Sequence, residues 1–270
     1  MPTEPGDSAA AQAENRVQWG LLEELRAPPS NAVIAWRDRV RWMRHFAPHR
    51  AKASGRKVQP RDRGVYLITG GFGGIAGAVS EWLARDHHAR LVLLARTPLP
   101  PREEWDRWLR EHERDEAIAQ SIQRVRDLEA FGAEVLPVAA DVTVAEQLED
   151  ALALVKERFG AINGVFHAAG VLRDNLIALK SERDIEDVFS AKLYGTLVLD
   201  AALQSMPLDF MVLFSSVSSY VAPVGQIDYV AANAFLNAFA ESCRDRRKYP
   251  VLAINWGIWK GIGMVATPHS

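Results

Sequence analysis

The chain has 270 residues, 48% of them hydrophobic and 24% charged, enough to bury one substantial core in a single large domain with or without an appendage. No run of about 18 apolar residues suggests a membrane span, and residues 1–15, rich in Ala, Glu and Pro, lack the apolar stretch of a secretory signal, so a cytoplasmic location is expected. The single cysteine, Cys243, excludes an internal disulfide, has no companions for a structural metal site, and reads as helix packing.

The formal net charge of −2 conceals a local basic run: residues 31–63 hold ten Arg or Lys against Asp38 and Asp62. No aromatic stacking platform, helix-turn-helix pattern or zinc spacing accompanies it, so a solvated strand pair and linker is a better reading than a nucleic-acid surface.

In chain order, residues 1–16 are expected to be disordered. Val17 to Arg26 carries Trp19, Leu21, Leu22 and Leu25 at helical spacing and stops at Ala27-Pro28-Pro29, which a helix cannot continue through. Two β-like runs follow, Ala32–Trp36 and Val40–Phe46, and then a polar linker, Ala47 to Arg63, which places a boundary near residue 60. From Gly64 short apolar strands alternate with amphipathic helices: Val65–Thr69, Arg90–Ala95, Glu134–Ala139, Gly164–His167, Phe210–Phe214 and Val251–Asn255. Runs such as Leu91-Val92-Leu93-Leu94 are apolar throughout, as in strands buried on both faces, and the order is that of an α/β, doubly wound parallel sheet. The long connection Thr97 to Gly132 holds two helical patterns, which extend a sheet-covering helix or dock another domain through the Pro98–Trp108 piece.

Thr69-Gly70-Gly71-Phe72-Gly73-Gly74-Ile75-Ala76-Gly77 follows a strand and opens a helix. Glycines there permit a tight turn and a backbone approach to a pyrophosphate, whose charge the helix N-terminus favours; Gly71, Gly73 and Ala76 fit the dinucleotide-binding spacing. Arg96, at the end of the second strand, stands where an NAD enzyme places an acidic residue, and it suits the 2′-phosphate of NADPH. Asp141 and Val142 are expected to bound the adenine pocket, and Ala168, Ala169 and Gly170 to let the cofactor pass the fourth strand; His167 reads as a packed strand-end histidine.

Three separated segments suit carbonyl reduction. Ser216 ends a strand, Tyr229 lies 13 residues beyond it, and Asn233 is one helical turn further on the same face. A tyrosine hydroxyl can protonate the carbonyl oxygen, a serine can hydrogen-bond it, and a nearby ammonium can lower the tyrosine's pKa. These segments resemble the short-chain dehydrogenase/reductase superfamily, and within it the ketoreductase domains of type I polyketide synthases. The superfamily's Tyr-x-x-x-Lys is replaced here by Tyr229-Val230-Ala231-Ala232-Asn233, and the resemblance implies that the lysine is Lys192, in Ala191-Lys192-Leu193-Tyr194-Gly195. Gly225-Gln226 before the tyrosine and Asn255-Trp256-Gly257-Ile258-Trp259 strengthen it.

The resemblance covers residues 64 to about 264 and implies NADPH-dependent reduction of a β-ketoacyl thioester, presented on the phosphopantetheine arm of an acyl carrier protein among other polyketide synthase domains. It implies that residues 17–60 are a remnant of a structural subdomain and linker, and that residues 61–270 are the catalytic domain, truncated at its C-terminus. Leu172-Arg173-Asp174 and Val221, eight residues before Tyr229, match ketoreductases giving a D-configured alcohol, with Gln226 a further substrate-orienting candidate. A loop-capping role for Asp174 stays open. So do two other readings of the whole chain, a noncatalytic cofactor-binding scaffold and a freestanding reductase of small carbonyl compounds.

Overall fold

A computed structural model of the chain describes residues 20–26, 28, 34–37, 40–48, 59–113 and 116–263. The expectations for residues 1–19, for most of the linker and for residues beyond 263 fall outside these. Two compact units are present, Met1–Arg56 and Lys57–Ser270.

In the first unit, residues 20–26 form helix α1, and β1 (Ile34–Arg37) pairs antiparallel with β2 (Val40–Met43). Gly20 lies against the Trp36 indole, where an added Cβ would come within 3.3 Å of the ring, and an ion pair from Arg41 to Glu24 ties helix to hairpin. The second strand is shorter than the expected Val40–Phe46: the ladder runs from Arg37↔Val40 to Ile34↔Met43, and Arg44–Phe46 are not in the strand. The first strand reaches Arg37, one residue beyond expectation.

In the second unit, β3 (Val65–Thr69), α2 (Gly74–His87), β4 (Arg90–Ala95), α3 (Trp105–Glu111), α4 (Ala117–Ala130), β5 (Glu134–Ala139), α5 (Ala145–Phe159) and β6 (Gly164–His167) succeed one another. After them come α6 (Glu182–Phe189), a π-helical turn (Ser190–Tyr194), α7 (Gly195–Leu203), β7 (Phe210–Ser216), α8 (Ser218–Val221), α9 (Ile227–Ser242) and β8 (Val251–Trp256). The six strands form one parallel sheet in the order β5-β4-β3-β6-β7-β8, the Rossmann-like arrangement. β7 and β8 run two and one residues past expectation, because their ladder continues to Ser216↔Trp256.

Alternate residues of each strand feed opposite cores. Val65 and Leu67 pack with Leu148, Leu152, Leu199 and Leu236 of α5, α7 and α9, while Tyr66 and Ile68 pack with Leu83, Ile122 and Val125 of α2 and α4. This burial on both faces is why the strands read as continuous apolar runs. Trp105 of α3 lies in the second core and donates its indole N–H to the Pro100 carbonyl at 2.8 Å, so this helical piece covers the chain's own sheet. The order in which successive strands are added reverses between the parallel neighbours β3 and β6, and the crevice at the carboxyl ends of these two strands is where an open α/β sheet holds its ligand.

Candidate active site

That crevice opens into a cavity of about 830 Å³. On one side lies the turn after β3. Gly70 has φ 64°, and a Cβ there would come within 2.8 Å of the Ala169 backbone; a Cβ on Gly71 would come within 2.8 Å of Leu93. The tight turn therefore falls at Gly70, one residue before the first glycine of the fingerprint spacing, and Gly71 is needed for packing against β4. Gly70, Phe72, Gly73, Gly74 and Ile75 line the cavity and Gly71 sits behind them. Arg124 of α4, which sequence reasoning missed, braces the turn from behind, its guanidinium donating to the Phe72 and Gly73 carbonyls at 2.9 Å each. Arg96 reaches the same cavity with an exposed guanidinium, and Asp141, Val142, Ala168, Ala169 and Gly170 complete this wall. Ala117, Ile118 and Ser121 also line it, which no local motif signalled.

Ser216, Lys192 and Tyr229 line the other end. Tyr229 stands in the first turn of α9; burial raises its phenol above the usual tyrosine range, opposed by hydrogen bonding with the Ser216 and Asn233 side chains. Asn233 does not line the cavity. It is fully buried one turn behind and donates its amide N–H to the Tyr229 carbonyl at 2.7 Å.

Lys192 arrives in the π-helical turn rather than on a regular helix. Such a turn carries an extra residue and re-aims its side chains. The Lys192 ammonium is fully buried, donates to the Phe214 carbonyl at 2.6 Å and lies 5.7 Å from the Tyr229 ring centroid. Desolvation pulls its pKa from 10.5 to about 8. Gly170 leaves the room for it, since a Cβ there would come within 2.9 Å of Lys192 Cε.

His167 holds this turn in place. Its pKa is pushed down to about 4, first by burial and then by the Lys192 charge, so the ring is neutral near pH 7. Nε2 faces the Ala191 carbonyl at 3.0 Å and must donate to it, which leaves Nδ1 to accept from the Thr69 hydroxyl at 2.6 Å. The packed strand-end histidine thus joins the end of β3 to the residue beside Lys192.

At the mouth, Val221 and Gln226 line the cavity, while Asp174 does not; its carboxylate accepts from Gln226 Nε2 at 2.8 Å. Local capping of the Asp174 loop falls instead to Asn175, whose Oδ1 accepts from the Leu176 N–H at 2.9 Å. Behind Ser215, which lines the cavity, Asn255 Oδ1 lies within 3.0–3.1 Å of donors on Ser215, Ser219 and Asn237. Among the described residues no group of His, Cys, Asp and Glu could hold a metal ion, and no helix is long and apolar enough to cross a membrane.

A parallel sheet whose switch point carries a glycine turn, with Tyr, Ser and Lys gathered beside it, defines a reductase of the short-chain dehydrogenase type. The KR domain family matches residues 64–261, and the chain belongs to that family. It is 35% identical over 247 residues to one component of the phenolphthiocerol/phthiocerol polyketide synthase of Mycobacterium tuberculosis, covering 91% of this chain and 13% of that protein. It is 37% identical over 211 residues to the 6-methylsalicylic acid synthase of Aspergillus terreus, covering 77% of this chain and 11% of that one. A crystal structure of a ketoreductase domain from the bacillaene assembly line superposes with a TM-score of 0.75 at 29% identity, over 93% of this chain and 56% of that one. The ketoreductase from the first module of phoslactomycin biosynthesis in Streptomyces sp. HK803 gives 0.73 at 32% identity, over 90% and 51%. Family membership supports ketoreduction in polyketide biosynthesis, with a nicotinamide cofactor as in other KR domains.

Proposed function

We propose that this domain uses NADPH to reduce a β-ketoacyl thioester, carried on the phosphopantetheine arm of an acyl carrier protein within a cytoplasmic polyketide synthase, to the β-hydroxyacyl thioester. One observation carries the reading: Tyr229, Ser216 and Lys192 share a single cavity with the Gly70–Ile75 turn and Arg96. The turn at the N-terminus of α2 would hold the pyrophosphate, Arg96 the 2′-phosphate, and Asp141 and Val142 the adenine side. Gly70, Gly73 and Gly74, which line the cavity at this helix N-terminus without side chains, fit that use.

When bound, the cofactor supplies the hydride that adds to the carbonyl carbon. The Tyr229 hydroxyl gives its proton to the carbonyl oxygen, and its raised pKa keeps that proton in place at neutral pH until then. Ser216 hydrogen-bonds the same oxygen. The Lys192 ammonium stabilises the phenolate left behind, and Asn233 holds the first turn of α9 through the Tyr229 carbonyl. Hydride and proton together give the alcohol.

The Leu172-Arg173-Asp174 segment and Val221 lead us to propose a D-configured product, with Asp174 and Gln226 orienting the arm at the mouth. NADPH consumption with a β-ketoacyl thioester surrogate tests the activity, and chiral chromatography of a diketide product tests the handedness. Cofactor binding with no turnover would make the domain a scaffold, and a predominantly L product would refute the use made of Asp174 and Val221.

A further inference from the structure

Between β6 and α6, residues 168–181 form a connection whose middle is exposed, yet its Val171 and Leu172 form part of the cavity wall. Few bonds hold such a segment, so those few decide where the wall stands. The deepest is at Lys180. Its ammonium donates to Asp228 Oδ2 at 2.7 Å and to the Arg173 carbonyl, and both side chains of the ion pair are 1% exposed. The second oxygen of Asp228 accepts the backbone N–H of Tyr229 at 2.9 Å. One carboxylate therefore holds the wall segment with one oxygen and the residue bearing the phenol with the other. Two flanking bonds run the same way, Asn175 N–H to the Gly225 carbonyl at 3.0 Å and Gln226 to Asp174.

An ion pair removed from water loses much of its Coulomb gain to desolvation, and an apolar pair of similar volume commonly serves stability as well or better. What the ionic pair provides that an apolar one does not is a fixed distance and direction.

We propose that Lys180 and Asp228 are positioning residues that lock the wall carrying Leu172 to the proton donor Tyr229, so that the ketone meets the phenol by one face only. Neither Lys180 nor Asp228 lines the cavity, and the inference rests on Tyr229 being the proton donor.

The test uses the full chain with three variants: Lys180→Met/Asp228→Leu, which replaces the ion pair by an apolar one; Asp228→Asn, which keeps the shape; and Lys180→Arg, which keeps the charge. With a diketide thioester and NADPH, the first two are expected to lower kcat about 10- to 100-fold, the scale of a misplacement of about 1 Å. The minor enantiomer rises in the same two variants, the cofactor Kd stays at the parent value, and Lys180→Arg regains most of both kcat and enantiomer ratio. A folded double variant or Asp228→Asn with the parent kcat and the parent ratio would overturn the clamp and leave a mere staple. Failure of the underlying reading looks different, as parent-level turnover in Tyr229→Phe or none in the parent. In that event amide hydrogen exchange decides, with faster exchange across 171–179 in Asp228→Asn supporting the clamp and unchanged exchange overturning it.

Discussion

Replacing Lys192 by Met keeps the length of a fully buried side chain and removes its charge. Burial lowers the Lys192 pKa from 10.5 to about 8. At about 1.4 kcal/mol for each tenfold change in proton affinity, the charged form withholds roughly 3 kcal/mol of folding free energy at neutral pH. The sign follows from proton counting: between about pH 8 and 10.5 the unfolded chain keeps the lysine proton and the folded chain has released it. Stability therefore rises with pH across that window, by up to about 1.4 kcal/mol per pH unit, and below it the lysine contributes no slope. The Met variant lacks this contribution. At pH 7 it escapes the desolvation cost but leaves the Phe214 carbonyl without its ammonium partner, a loss of about 1–3 kcal/mol, so its stability should lie within about 2 kcal/mol of the parent. Its reductase activity should nevertheless fall sharply. Urea unfolding of both proteins from about pH 7 to 10.5 separates the terms, because the buried tyrosines Tyr66 and Tyr249, whose raised pKa values cost stability at the alkaline end, are common to both. Parallel stability curves for parent and variant would refute the assignment of a buried, depressed Lys192.

Tyr229→Phe removes the proton donor and should lower turnover by at least about 100-fold while cofactor binding, read by fluorescence titration, persists. Arg96→Ala should erase a preference for NADPH over NADH of roughly 10- to 150-fold, the worth of a charge-assisted hydrogen bond; equal binding of both cofactors by the parent protein would end that assignment. His167 binds its proton more weakly in the folded chain, at about 4 against an ordinary 6.5, so the unfolded state holds more protons in between and stability falls as pH drops through that range. His167→Asn should remove about 3 kcal/mol of this acid sensitivity, and an unchanged acid slope in denaturant unfolding would contradict it.

The strands, the glycine turn and the placement of Tyr229 above Asn233 were legible in the sequence because each depends on near neighbours. A strand buried on both faces is a run of apolar residues, a strand-turn-helix junction needs its glycines in order, and residues four apart share a helix face. Even here tertiary contact adjusted the ends: β7 reaches Ser216 because β8 pairs with it that far, and β2 stops at Met43 where its ladder with β1 stops. Lys192 could be named only by resemblance, since nothing in Ser190–Tyr194 announces a π-helical turn; that turn is secured from outside, by His167 on the Ala191 carbonyl and by the space Gly170 leaves.

The sequence by itself determined the sheet and the glycine turn, because backbone propensity and the burial pattern of a strand are local properties, whereas Lys192 was named by resemblance alone. Tertiary structure alone decided that Arg124 braces the glycine turn from 51 residues away, that Lys180 and Asp228 meet across 48 residues, and that Asn233 serves Tyr229 from behind rather than facing the cavity. Each of the first two is a polar contact between distant segments. Its partner is chosen by where packing brings two backbones together, and no periodicity in the chain records that.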